Sequence, residues 1–382
     1  MAQYQTGTAA SPAALKTIIE TFCTDNGFSL ASGWLSKNQS HINIHTRIPA
    51  TISSINSSGT LATVVCSGSH RLTTGDTITI SGASDALYNG TFSITVTNGS
   101  NFTYVMGGTP AASPATGTLV ASGDPRTLSV QGANSADGLT ELAPYSDRIR
   151  VESASWPITY YLFYSSTPDQ VCCVIQHDVT KVQHIMFGEI SKVHSSAFVG
   201  GNWYYATKGI NTTLISSLQT ISDTGLSVAS SGGTGQVVPF PLNGSSLSID
   251  NISGRIHCKV DSAVWTNGIL TSAVQGQVFL TDYTRRSLFR SPNTWNSQAL
   301  LVPMHLKIRT ASTLDMYLGY IEHVRLVRID NYDLGDIITL GSDQWKVFPC
   351  LEKNSATRNG DGLSNPTTQQ SGTLGYAIRY VP

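Results

Sequence analysis

A chain of 382 residues has room for two or three domains and for a buried core that needs no disulfide staples. Hydrophobic residues make up 40% and glycines number 34, an ordinary globular share that excludes wholesale disorder. Charged residues reach only 12%, and 23 basic against 24 acidic residues leave a net charge of −1, so the chain lacks the electrostatic footprint of a nucleic-acid or anionic-membrane binder.

Hydroxyls replace charges: Ser and Thr account for 90 of the 382 residues. No apolar stretch approaches the length of a membrane span, and the opening MAQYQTGTAASPAAL has neither the basic start nor the apolar run of a signal peptide. The expectation is a soluble protein not exported by that route.

The first regular element is a helix. Ser11 stands at the N-cap and Pro12 at the first helical position. Leu15, Ile18, Ile19 and Phe22 follow at helical spacing, and Gly27 is the stop. Its apolar stripe should dock on a sheet.

From Pro49 to Ser122 the composition changes: Arg71, Asp76 and Asp85 are the only charges. Thr77 to Ile80 and Thr91 to Thr97 alternate as half-buried strands, with Phe92, Ile94 and Val96 on one face. Turns at Asn89–Gly90 and at Asn98 to Asn101 reverse the chain, the second leading into Phe102 to Met106. Thr118 to Val120 reads either as a final strand or as a connector. The segment 49–122 is therefore expected to be an inserted small β domain, interrupting a parent made of 1–48 and 123–382.

The parent continues as a meander of Ile158 to Tyr164, Val171 to Gln176 and Val182 to Phe187. Residues 211–236 are polar and end in Ser-Ser-Gly-Gly-Thr-Gly, the composition of a flexible loop that would split the parent into two subdomains. Beyond them, Asp336 to Leu340, Trp345 to Phe348 and Gly375 to Tyr380 read as strands, the last with Tyr376, Ile378 and Tyr380 on one face. The predicted fold is mainly β, an antiparallel sandwich or barrel core with one N-terminal helix and an inserted small β-barrel.

Catalytic signatures are absent from the sequence: it holds no phosphate-binding loop, no dinucleotide glycine fingerprint, no His-Glu-x-x-His and no Cys-x-x-Cys. Cys23, Cys66, Cys172, Cys173, Cys258 and Cys350 are scattered and read as reduced packing thiols. His41 and His45 share a strand face but lie about 13 Å apart at ~3.3 Å per residue, too far to chelate one ion together. His177 and His184 flank a turn without a clustered Cys or carboxylate to complete a ligand set. The expectation is no enzyme, no cofactor and no metal.

Interaction candidates are easier to name. Arg285, Arg286 and Arg290 form a basic cluster near Trp295 that could grip a partner's carboxylates through bidentate bonds. Trp345, Tyr376 and Tyr380 are aromatic residues suited to a buried seam between subunits, and Tyr88 and Tyr104, with Trp203 of the parent, are candidates for stacking on a glycan.

Several stretches resemble virion structural proteins of tailed bacteriophages. His70 to Asp76 (HRLTTGD), Tyr88 to Phe92 (YNGTF) and Asn101 to Tyr104 (NFTY) are similar to a small β-barrel module that recurs as an insertion in phage particle proteins. Tyr160 to Phe163, Gln183 to Lys192, Gly200–Gly201, Ser291 to Trp295, Gly335–Asp336, Trp345 to Pro349 and Gly375 to Tyr380 resemble a family of neck- or tail-associated virion proteins. The resemblance implies a non-catalytic subunit that packs against copies of itself and against neck, tail-tube or baseplate proteins, with no nucleic-acid or membrane contact. It implies a place in the virion, after assembly in the bacterial cytoplasm. Two alternatives stand beside it: a baseplate or tail-tip protein whose insert binds a host glycan, and a tail-associated polysaccharide hydrolase working through two carboxylates.

Overall fold

The computed structural model describes residues 2–45, 51–68, 70, 72, 74, 77–123, 127–133, 147–151, 155–192, 201–207, 221–222, 225–226, 257–259, 266–267, 301–311, 314–329, 331–350, 353 and 374–382. The chain is mainly β and divides into two compact units: one comprises Met1–Ile44 and resumes at Val130, the other is built on His45–Ser129. The units divide a few residues outside the sequence-predicted limits of 49 and 122. The flanking strands Ser40–His45 and Thr127–Ala133 belong to one five-stranded sheet, with Trp34–Lys37 and Ser29–Ala31 beyond the first and Asp147–Arg150 beyond the second.

The larger unit is built in layers. Its seven-stranded sheet runs Ala2–Ala9, Ile158–Ser165, Gln170–Gln176, Val182–Glu189, Asn202–Ala206, His257–Lys259 and Thr266–Asn267, antiparallel throughout. The three meander strands sit in the middle, where five consecutive residues from Val171 to Ile175 are buried, so both faces of this sheet are covered.

On one side lies the helix Pro12–Asp25. Ser11 caps it by accepting a hydrogen bond from Ala14 N at 3.1 Å, and Gly27 ends it at φ +85°. Leu15, Ile19, Phe22 and Cys23 are buried, and Phe28 just beyond meets Tyr164 and Phe187 edge-on.

On the other side lies a second antiparallel sheet, in the order Val302–Ala311, Leu314–Arg328, Leu374–Tyr380, Asp343–Pro349 and Ile337–Leu340. Phe163, Cys172, Val174, Met186, Trp203 and Tyr205 of the first sheet share one apolar core with Met304, Leu306, Leu318, Val324, Phe348 and Tyr376 of the second. Each such side chain contributes on the order of 2 kcal/mol by leaving water. All six cysteines are free and buried, and burial pushes the Cys350 thiol up to about 12 and Cys66 up to about 11.

The smaller unit is a six-stranded sheet in the order Gly117–Ser122, Thr77–Ala83, Gly90–Val96, Asn101–Val105, Leu61–Cys66 and Ile52–Ser58. Bonds from Ala115 N to Ile55 O and from Ser57 N to Ser113 Oγ, both 2.8 Å, bring its ends together into a nearly closed barrel. Ile55, Val64, Ile78, Ile80, Ile94 and Phe102 fill it. Thr118 to Val120 lies in a strand.

The structure corrects several sequence expectations about exposed aromatics. Tyr88 and Tyr104 are buried in the barrel core: Tyr88 OH meets Ala112 O at 2.8 Å and Ser57 Oγ at 3.0 Å, while Tyr104 OH donates to Tyr88 O at 3.0 Å. Neither presents a face to a glycan, because inward alternation places Tyr104 beside Phe102 and the barrel interior absorbs both rings. Trp203 is also fully buried. Trp345 and Tyr376 lie within this chain's own core, since the strand carrying Tyr376 is central in its sheet and covered on both faces. Trp345 is roofed by the Arg325 guanidinium at 4.9 Å from its ring. Tyr380 is half-buried, edge-on to Tyr4, with Lys346 Nζ 4.9 Å from its ring centre. Arg285, Arg286, Arg290 and Trp295, and the loop 211–236 apart from its hairpin at Ile221–Ser222 and Gly225–Leu226, lie outside the described residues.

Candidate functional site

In the larger unit, the end of the strand Val182–Glu189 opens into a cleft of about 650 Å³. Four elements wall it: the hairpin turn carrying Asn38 and Gln39, the turn carrying Thr167 and Pro168, the stretch Glu189 to Lys192 with Gly201 and Asn202 opposite, and Tyr320 with Glu322 on the long strand Leu314–Arg328.

Close backbone packing builds its floor. A Cβ on Gly188 would fall 2.2 Å from Asp169 O, so only glycine lets these two strands approach so closely, and its φ of +148° favours glycine as well. Ser191 pairs with Tyr320 through two backbone bonds of 2.9 and 3.2 Å, which ties the end of the first sheet to the second. Asn38 and Thr167, both on the rim, hold left-handed φ values of 53° and 63°, a costly conformation for a β-branched threonine.

A polar network lies behind the rim. Lys37 Nζ pairs with Asp169 Oδ1 at 2.9 Å and donates to Tyr164 OH at 2.6 Å and Asn26 O at 2.9 Å. Burial opposes the Lys37 charge, yet its bonds to Tyr164 and Asp169 outweigh that and hold its pKa above the ordinary lysine value. Tyr164, which donates to Asp169 by a short bond, is raised by burial first and by the aspartate second.

Two glutamates line the cleft in unlike surroundings. Glu322 has a cation, Arg325 Nη2 at 3.7 Å from Oε1, and Ser191 Oγ at 3.4 Å from Oε2. Tyr320 is raised by its hydrogen bond to Glu322, and burial adds to this. Glu189 takes its bonds from uncharged donors, Asn38 Nδ2 at 3.1 Å and Asp169 N at 3.4 Å. Directly across the strand pair from Glu189 stands Asn202, only 2% exposed. Its Nδ2 donates to Gln39 O at 2.9 Å, while its Oδ1 has no partner. Lys192 lines the same cleft, so its polar lining carries a cation beside the two glutamates.

None of the residues singled out in the sequence as site candidates lines this cleft. Glu189, Ser191 and Lys192 fall inside the stretch Gln183 to Lys192 that carries the family resemblance, but as single polar residues after an apolar run they give no chemical signal of their own. Glu322 sits 133 positions further on and meets them only through the Ser191–Tyr320 bridge. His184 lies elsewhere, with Nε2 2.9 Å from Pro349 O. Among the described residues no group of three or more His, Cys, Asp or Glu side chains is placed to hold a metal ion, and no helix is long and apolar enough to cross a membrane.

No family model matches the chain, and no curated protein matches it. Among solved structures it is similar to the phage phi92 endosialidase at 11% identity, over 91% of this chain and 54% of that one, with a TM-score of 0.19. The chain therefore spans about half the length of that structure.

Proposed function

We propose that this protein is a structural subunit of a tailed-phage virion, packing with copies of itself into a ring at the neck, collar or tail. One observation carries the reading. The stretches resembling neck- and tail-associated virion proteins are scattered from residue 160 to residue 380 in sequence, yet several of their apolar residues meet in one core. Phe163 and Met186 of one sheet, and Phe348, Tyr376 and Ile378 of the facing sheet, belong to one apolar core. The resembling stretches thus supply part of the interior on which the two facing sheets of this unit are built.

A charge-poor surface supports the same reading, because a subunit buried among neighbours has less need of charge to stay dispersed. Sedimentation of the recombinant chain at micromolar concentration should show a discrete oligomer, and antibody labelling of purified particles should decorate one axial level. A stable monomer, together with particles that carry no label, would overturn the proposal.

A further inference from the structure

We propose that the cleft beside Glu189 binds an uncharged saccharide. The inference goes beyond the ring reading and does not depend on it.

Charge narrows the ligand first. The charged residues lining the cleft are Glu189, Lys192 and Glu322. Glu322 is matched by Arg325 Nη2 at 3.7 Å, which leaves one carboxylate and one ammonium on the wall. A balanced wall has no net charge to draw in an ion of either sign, and a wall this polar does not favour an apolar ligand.

Hydrogen bonding narrows it further. The antiparallel bridge between Ser191 and Tyr320 puts Glu189 and Glu322 in opposing register, each two residues away from it. Glu189 Oε1 takes one bond from Asn38 Nδ2 and Oε2 one from Asp169 N, so each oxygen keeps room for a further donor. The Lys192 ammonium, on the same wall, only donates. A hydroxyl suits both, because it donates and accepts. Adjacent hydroxyls of a sugar ring reach the two oxygens of one carboxylate together, whereas the N–H groups of an extended peptide point alternately to opposite sides.

Tyr320, half-buried on the lining, adds a ring for the apolar C–H face of a sugar, and its hydroxyl is held by the bond to Glu322. The volume of about 650 Å³ falls within the roughly 300–1,000 Å³ of small-molecule sites. At the rim, Asn38 and Thr167 keep left-handed backbone, the kind of strain that ligand clamps retain.

The test screens the full-length chain on an array of neutral hexose and N-acetylhexosamine oligosaccharides, with sialylated and uronic-acid glycans printed beside them. At least one neutral oligosaccharide should bind, and titration calorimetry with that oligosaccharide should give a saturable isotherm that added salt leaves unchanged. Glu189→Gln should weaken it about tenfold, the size of one lost charge-assisted hydrogen bond. Lys192→Met should weaken it as well; this side chain is exposed, so the variant probes the cleft even where Glu189→Gln does not fold. Circular dichroism melts of both variants check the fold.

Three results overturn the proposal: binding to no neutral glycan, binding confined to the acidic glycans, or binding that folded Glu189→Gln and Lys192→Met both retain in full. Sedimentation is read separately. An array without neutral binders beside a discrete oligomer overturns the saccharide site and leaves the ring standing, and neutral-glycan binding by a stable monomer does the reverse.

Discussion

His184 is neutral at pH 7 because burial outweighs its bonds to the carbonyls of Pro349 and Cys350, lowering its pKa to about 4. Nε2 donates to Pro349 O, Nδ1 is buried without a partner, and the Tyr376 ring packs edge-on at 5.0 Å. A proton on Nδ1 would therefore be a buried charge with nothing to accept it. The unfolded chain takes up that proton near pH 6.5 and the folded one near pH 4, so the unfolded state binds more protons in between. Stability from this site is complete above about pH 6.5 and is lost as pH falls towards 4, by about 3 kcal/mol at most. Thermal melts from pH 7 to pH 4 should show a steeper fall for the wild type than for His184→Gln, whose amide keeps the donor to Pro349. Parallel slopes would mean that other groups, His323 among them with a pKa also near 4, carry the whole dependence. At this scale the sequence is least legible. Alternation shows that Tyr104 and Tyr376 share faces with apolar neighbours, but whether a face meets water or a second layer is decided by strands far away in the chain.

Elements are more legible, to the extent that their signals are local. The helix could be placed from Ser11, Pro12 and Gly27, because capping, the fixed proline φ and the left-handed stop act within a few residues, and the observed helix Pro12–Asp25 carries that cap and stop. The meander strands follow from short apolar runs bounded by turn residues, and the hairpin around Asn98 from alternation and turn chemistry. The strand Ala2–Ala9 was not legible: its polar residues give no apolar alternation, and it forms only because Ile158–Ser165 offers it an edge about 150 positions away. The cleft was hidden for the same reason, since Asn38, Glu189, Asn202 and Glu322 meet only through pairing between distant strands. A test belongs to the helix. Replacing Ser11 with Ala removes the acceptor for Ala14 N and should cost about 1 kcal/mol, lowering the melting midpoint by a few degrees. A Ser11→Asp variant restores an acceptor beside the positive end of the helix dipole and should recover the loss. An unchanged midpoint in Ser11→Ala would mean that this helix end frays without consequence for the fold.

For the whole molecule the deciding feature is where the chain leaves one unit and re-enters it. It departs at the end of Ser40–His45 and returns through Thr127–Ala133, two strands of the same five-stranded sheet, so the larger unit does not need the intervening barrel to complete that sheet. The barrel fills its own interior with Ile55, Val64, Tyr88, Phe102 and Tyr104, and covers its outside with hydroxyls such as the Thr79–Thr91 pair, whose Oγ1 atoms lie 2.9 Å apart. A core of this kind in a segment of 74 residues, 49–122, is small but sufficient for independent folding. The sequence marks 49–122 by the near disappearance of charge, a compositional change that needs no long-range pairing to be seen, while the compact units divide at His45 and Ser129. Replacing 49–122 by a short Gly/Ser linker should leave the larger unit folded, with its helix and both sheets intact, at a loop-closure cost of about 1 kcal/mol or less. The deletion variant should melt in one cooperative transition near that of the full chain and sediment in the same state as the full chain, while the isolated segment should show dispersed amide resonances of its own. Insoluble protein from the deletion, or a segment that is unfolded alone, would mean that the two units do not fold independently and that the barrel belongs to the larger unit's own folding.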